Sequence, residues 1–228
     1  MNAPAAPPAA PVPGAWEMYR AMVGVGLVCG LLIVSAYVGT GPIIARNRAA
    51  MLQHAIFQVL PAAHATRTFR LAGDDRLEPV AEAAGADRVV YAAYDPQGQL
   101  VGVAVEASGL GYQDTIRVLY GYVPGASAIV GIHVLESRDT PGLGDRIESD
   151  PAFLQNFAHL DVALAAGGEQ LAHPIKAVKH GTKSEPWQVD TITGATISSS
   201  AVANIIGASA AFWVPRIHRN LDILEQHR

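Results

Sequence analysis

The chain is poor in charge, aromatic rings and sulfur. Only 16% of its 228 residues are charged and 7% aromatic, against roughly 25% charged in soluble domains. Half of the chain is hydrophobic, so the missing charge places part of it outside water. A single cysteine, Cys29, excludes an intramolecular disulfide, a cysteine-ligated iron–sulfur cluster and a CxxCH haem attachment. The eight histidines are scattered, with no HExxH motif and no close pair to open a metal site. With 16 basic and 20 acidic residues, a net charge of −4 and no Lys/Arg-rich block, nothing marks a nucleic-acid partner. Redox chemistry on such a chain requires an organic cofactor.

What the chain does contain is ordered along its length. Residues 1–15 open with MNAPAAPPAAPVPG, where repeated proline fixes φ and removes amide donors, so a flexible Ala/Pro-rich tail is expected. Residues 16–45 follow as a transmembrane helix. No charge occurs from Ala21 to Ala45, and a helix of that length reaches about 37 Å against a hydrocarbon core of roughly 30 Å. Arg20 stands at one end and Arg46 and Arg48 at the other, with Trp16, Tyr19 and Tyr37 placed for the interfaces. The run is long and its basic leader weak for a cleaved signal peptide. Val28 before Cys29 is too bulky for a lipid-attachment site. The arginine count leans toward a cytoplasmic C-terminal part.

Residues 46–228 read as an α+β domain, an antiparallel sheet with packed helices. Met51, Leu52, Ile56, Phe57 and Leu60 give an amphipathic helix ended by Pro61. RVVYAAY and QLVGVAVEA flank the turn DPQG, and TIRVLYGY and SAIVGIHVLES flank VPGA, which predicts two hairpins. A short helix is expected near DPAFLQNF, strands at IKAVK and WQVD, and helices over Thr196–Val214 and after Pro215.

Two loops have the composition of ligand sites. In DTITGATISSSAV (190–202), Thr193 or Thr196 falls at the start of an amphipathic helix, where a hydroxyl serves as a cap. The same position suits an anion, because free amides and the positive end of the helix dipole converge there. In DTPGLGDRI (139–147), Pro141 fixes a turn, Gly142 and Gly144 permit close backbone approach, and Leu143 forms an apolar tip. An ordinary turn explains that loop equally well.

Together the loops resemble a known family. DTITGAT matches the Asp-x-x-(Ser/Thr)-Gly-Ala-Thr signature of covalently flavinylated FMN-binding domains, and ESRDTPGLGDRI is similar to their Glu-Thr-Pro-Gly-Leu-Gly stretch. With YGYVPG and the N-terminal span, residues 16–215 look like the G subunits of Rnf electron-transport complexes. The related C subunits of sodium-translocating NADH:quinone oxidoreductases share the attachment pattern. Ser137–Arg138–Asp139 departs from the His-Lys-Glu common in relatives. The resemblance implies one FMN esterified through its phosphate to Thr196 by a flavin transferase. It further implies that Asp190, Thr193, Gly194 and Ala195 shape the turn and that Thr140, Pro141, Gly142, Leu143 and Gly144 lie beside the ring. It implies a single-pass inner-membrane subunit with a periplasmic flavin domain, relaying electrons among iron–sulfur and flavin subunits between ferredoxin and NAD while sodium ions or protons are exported. The quinone-reductase homologue, another respiratory flavoprotein and an unflavinylated structural subunit remain the alternatives.

Overall fold

Four runs rich in β-branched and aromatic residues lie between Val89 and Glu136, and each becomes a strand of one meander. In the computed structural model, which describes residues 14–80 and 88–226, these are β3 (Val89–Tyr94), β4 (Leu100–Leu110), β5 (Thr115–Val123) and β6 (Ala128–Glu136). The DPQG turn joins β3 to β4. The Asp95 carboxylate accepts the amides of Gln97 (2.9 Å) and Gln99 (2.7 Å), and Gly98 supplies the positive φ of +79°. β1 (Ala65–Leu71), β2 (Leu77–Val80) and β7 (Leu160–Asp161) extend the sheet at its edges. The order is β2-β1-β3-β4-β5-β6-β7, with antiparallel pairing throughout. β1 escapes a reading of periodicity because ATRTFRL alternates Thr and Arg with its few apolar residues.

The chain divides into two units after Ala50. The first, in its described residues, holds the N-terminal turns of helix α1 (Ala15–Val59), where every residue is exposed. An 18-residue window of α1 has a mean hydropathy of 2.3, enough in length and composition to cross a membrane. Pro42 lies inside this helix without ending it.

The second unit is the sheet with helices on both faces. The last turns of α1 bury Ala55, Ile56, Val59 and Leu60 against Tyr91, Ala93, Ala104 and Leu119. Three glycines make room for Val59 and Leu60. A Cβ on Gly121 would stand 2.8 Å from the Val59 carbonyl oxygen, and one on Gly102 2.8 Å from a Leu60 methyl. Gly131, the register partner of Gly121, faces Val59 as well. The opposite face carries Val103, Val105, Ile116, Val118, Tyr120 and Tyr122 into the larger core under α3 (Thr196–Arg219). The Tyr120 hydroxyl bonds Ser209 Oγ at 2.9 Å, and burial raises the pKa of that phenol.

Two expectations change. IKAVK and WQVD do form strands β8 (Lys176–Val178) and β9 (Gln188–Asp190), but they pair in parallel as a separate ribbon. Pro215 does not divide the C-terminal helix: α3 continues through it to Arg219. Burial of Val214, Pro215 and Ile217 outweighs the one missing amide bond. The break comes at Asn220, whose side-chain amide donates to the carbonyls of Arg216 (2.8 Å) and Asp75 (3.0 Å) and accepts the Leu77 amide (3.1 Å). A short α4 (Leu221–Gln226) follows, and the Tyr94 hydroxyl donates to its Leu224 carbonyl at 2.7 Å.

Candidate functional site

The segment entering α3 is pinned before it turns. The Thr191 amide and hydroxyl both donate to the Val178 carbonyl, at 3.0 and 2.9 Å, and Asn156 Oδ1 accepts the Asp190 amide at 3.0 Å. Gly194 then takes φ +87°, with open space where a side chain would stand. That conformation disfavours any residue with a Cβ, which explains glycine here.

Neither Thr193 nor Thr196 caps the helix. Ala195 holds the cap position and no side chain bonds the first amides. Ser199 closes the turn from within: its hydroxyl accepts the Ile192 amide (3.1 Å) and donates to the Ala195 carbonyl (2.7 Å). Thr196 is exposed, and its hydroxyl makes only a 3.3 Å bond to the Ile192 carbonyl. Among the described residues no acceptor meets the amides of Thr196, Ile197 and Ser198. An accessible hydroxyl thus sits among three free donors.

The second loop is built around Asp139, which is 7% exposed. Its Oδ1 accepts the Gln113 amide at 3.0 Å, while its Oδ2 is buried without a partner. Thr140 folds the loop by accepting the amides of Leu143 (3.2 Å) and Gly144 (2.9 Å), and Gly142 has φ +79°. Gly144 is required for a different reason: a Cβ there would lie 2.5 Å from Asp139 Cβ. A 3-10 helix, Gly144–Glu148, leads to α2 (Pro151–Gln155), capped by the Asp150 carboxylate on the amides of Ala152 and Phe153. The Phe153 amide, with Arg146 adding to it, holds that carboxyl below its ordinary value.

The loops meet. Arg146 donates to the Thr193 carbonyl at 3.0 Å and to Asp150 at 2.8 Å. Between them lies a cavity of about 380 Å³ lined by Tyr112, Thr140, Leu143, Gly144 and residues 194–198. On the other side of Thr196 runs a groove of about 800 Å³ between residues 107–111 of β4 and its turn and α3. Outside α1, the exposed large apolar side chains among the described residues are Leu110, Tyr112, Leu143 and Ile197. All four line one or other of these two spaces. Free amides beside a hydroxyl fit a phosphate, and an apolar collar fits a flat aromatic ring.

Of the residues named from sequence, Thr140, Leu143, Gly144, Gly194, Ala195 and Thr196 line the cavity, while Pro141 and Gly142 belong to its loop but not its wall. Thr193 contributes its carbonyl to Arg146. Asp190 faces elsewhere: its carboxylate accepts the Gly181 amide at 2.8 Å and lies 3.6 Å from His180. Sequence reasoning missed Tyr112, Arg146 and Ser199. Arg146 was within the recognised loop, but nothing local announces a bond to residue 193. Tyr112 lines the cavity from a turn whose Gln113 amide is held by Asp139, 26 residues along the chain.

A family model described as an FMN-binding domain matches residues 111–210. The G subunit of the ion-translocating oxidoreductase complex of Methanosarcina acetivorans is 30% identical over 192 residues, covering 84% of this chain and 90% of that one. The corresponding G subunit of Cereibacter sphaeroides is 32% identical over 206 residues, covering 89% and 80%. Among solved structures, NqrC of Shewanella oneidensis has a TM-score of 0.58 at 20% identity, covering 80% of this chain and 99% of that one. The C subunit of the Na(+)-translocating NADH-quinone reductase from Parabacteroides distasonis has a TM-score of 0.52 at 21% identity, covering 68% and 78%. At these identities the solved structures establish the shared fold.

Proposed function

The chain belongs to the family of G subunits of ion-translocating oxidoreductase complexes, FMN-binding proteins of electron transport, and we propose that it relays electrons through an FMN esterified to Thr196. The observation that carries this reading is the exposed Thr196 hydroxyl beside three unpaired amides, opening on the cavity between the two loops.

The hydroxyl is the nucleophile in attachment. With FAD as donor and under a flavin transferase, Thr196 Oγ1 would bond the FMN-side phosphorus as the pyrophosphate bond broke, AMP left and the hydroxyl proton was released. The resulting phosphodiester carries one negative charge, which the helix N-terminus and the free amides stabilise. Gly194 keeps the backbone open on that side, and Ser199 holds the first turn without occupying its amides. When bound, the flavin supplies electron uptake and release. Leu143, Tyr112 and Ile197, exposed in the cavity wall, would be covered by the ring and keep water from it.

The wider reading follows the family resemblance. Residues 16–45 span the inner membrane, residues 46–228 form a periplasmic flavin domain, and partners with iron–sulfur clusters and flavins complete a path between ferredoxin and NAD coupled to sodium or proton export. An alkaline phosphatase fused to the C-terminus is expected to be active in cells; an inactive fusion in intact complexes would reverse the orientation. For the site itself, the chain co-expressed with its flavin transferase is compared with Thr196→Val on a denaturing gel under ultraviolet light. A fluorescent wild-type band and a dark, stably expressed variant are expected. A dark wild type, with the transferase active on a known substrate, would sink the proposal.

A further inference from the structure

The chain's three lysines, Lys176, Lys179 and Lys183, all fall within one stretch of eight residues, with His173 and His180 among them and no acidic residue from 173 to 184. All five side chains belong to exposed residues. Many arginines of the same unit are used differently. Arg70, Arg117, Arg138, Arg146, Arg216 and Arg219 each pair with a carboxylate of the chain. Among the described residues no lysine forms an ion pair; the contact of Lys183 Nζ is the neutral Asn156 Oδ1, at 3.2 Å. A chain with net charge −4 therefore gathers all its lysines in one place, and among the described residues none of them contacts a carboxylate, Asp190 acting on Lys183 only from a distance.

That place is fastened to the flavin turn. β8 carries Lys176 and pairs with β9. The Val178 carbonyl receives both the amide and the hydroxyl of Thr191, and the Gly181 amide sits on Asp190. From Thr191 to Thr196 the chain can extend at most about 18 Å. Trp187 and His173 stack at 3.8 Å beside the lysines, giving a flat aromatic surface of the kind enriched at protein interfaces.

We propose that the ribbon 173–188 is the docking face for an acidic surface of another protein of the complex, its lysines pairing with that protein's carboxylates so that its redox centre stands beside the flavin at Thr196. The nearness to the flavin rests on the reading of Thr196; the docking does not. Exposed lysines suit this role because they are strongly hydrated and flexible, and complementary charge fixes register more than it adds affinity. With a screening length of roughly 8 Å at physiological salt, the pairing acts at contact.

The test uses the complex purified through a tag on this chain. Carbodiimide, which joins amines to carboxylates without a spacer, is applied to it in native membranes and the products mapped by mass spectrometry. Cross-links from Lys176, Lys179 or Lys183 to Asp or Glu of another polypeptide are expected. The double variant Lys176→Glu/Lys179→Glu should retain that polypeptide at least tenfold less at 150 mM salt, while Lys176→Arg/Lys179→Arg retains it. Both should keep a wild-type flavin band, which separates loss of docking from a failed attachment. Full retention by the reversed variant, or cross-links confined to this chain, would overturn the proposal. So would lysines shielded from acetylation in phosphatidylglycerol nanodiscs but not in phosphatidylcholine ones, in favour of a lipid surface.

Discussion

Arg146 and Thr193 join the two loops of the candidate site through one hydrogen bond, guanidinium to backbone carbonyl, at 3.0 Å. The carbonyl is backbone, so the identity of residue 193 matters little to the bond, whereas that of residue 146 decides it. The Arg146 side chain is 43% exposed, and an ion pair at such exposure contributes less than about 1 kcal/mol.

Replacing Arg146 should therefore cost little stability and more flavin. Arg146→Met is expected to lower Tm by only a few degrees while slowing covalent attachment several-fold at limiting transferase. A time course of in-gel fluorescence, beside a melting curve, checks it. Equal attachment rates would show that the tie between the loops plays no part in attachment.

Two glycines should fail for different reasons. Gly194→Ala meets no atom, so its cost is the left-handed backbone alone, roughly 1–2 kcal/mol. Gly144→Ala drives a methyl against Asp139 and should cost about 1–3 kcal/mol through overpacking. Asp139→Gly costs stability itself through the lost Gln113 bond, but measured in that background the Gly144→Ala loss should shrink and the Gly194→Ala loss should not. Denaturant unfolding of the single and double variants measures the difference.

Tyr112 should report on the ring. Phenol beside a flavin quenches its emission, and Tyr112 lines the cavity that Thr196 shares. Tyr112→Phe should brighten the native flavinylated protein with little change in stability, leaving the denatured band as bright as wild type. Unaltered native emission would place the ring away from this wall, in the groove on the other side of Thr196.

Acid should loosen the second unit through His133. Burial lowers the pKa of its imidazole below 6.5, and His54 adds to the effect. The folded state then binds fewer protons than the unfolded one, so stability is full above 6.5 and falls as pH drops toward the folded value. His133→Gln should flatten the dependence of unfolding free energy on pH below 6.5, as read from denaturant midpoints taken at several pH values.

The central hairpins and the two loops were legible because their signals are local. Asp95 and Gly98 write their own turn, and DTITGAT holds its motif within seven residues. The rest depends on partners far along the chain. Pro215 reads as a helix breaker until its neighbours are seen buried. Asn220 reads as an ordinary polar residue until Asp75 and Leu77 arrive beside it. Ser199 and the threonines look alike in sequence, and only the path of the chain before the helix decides which hydroxyl closes it. Asp190 belongs to the signature yet turns toward Gly181, a contact that no pattern inside the signature specifies.

The glycine trough of Gly102, Gly121 and Gly131 bears on how the second unit can be excised for study. Because Val59 and Leu60 lie in that trough and, with Ile56 beside them in the same cluster, are nearly fully buried, the end of α1 is part of the domain's core. A soluble fragment cut after Pro61 would bare an apolar sheet face and is expected to aggregate. A fragment begun at Met51 would keep the face covered. The border between what can be removed and what must stay therefore runs through a single unbroken helix.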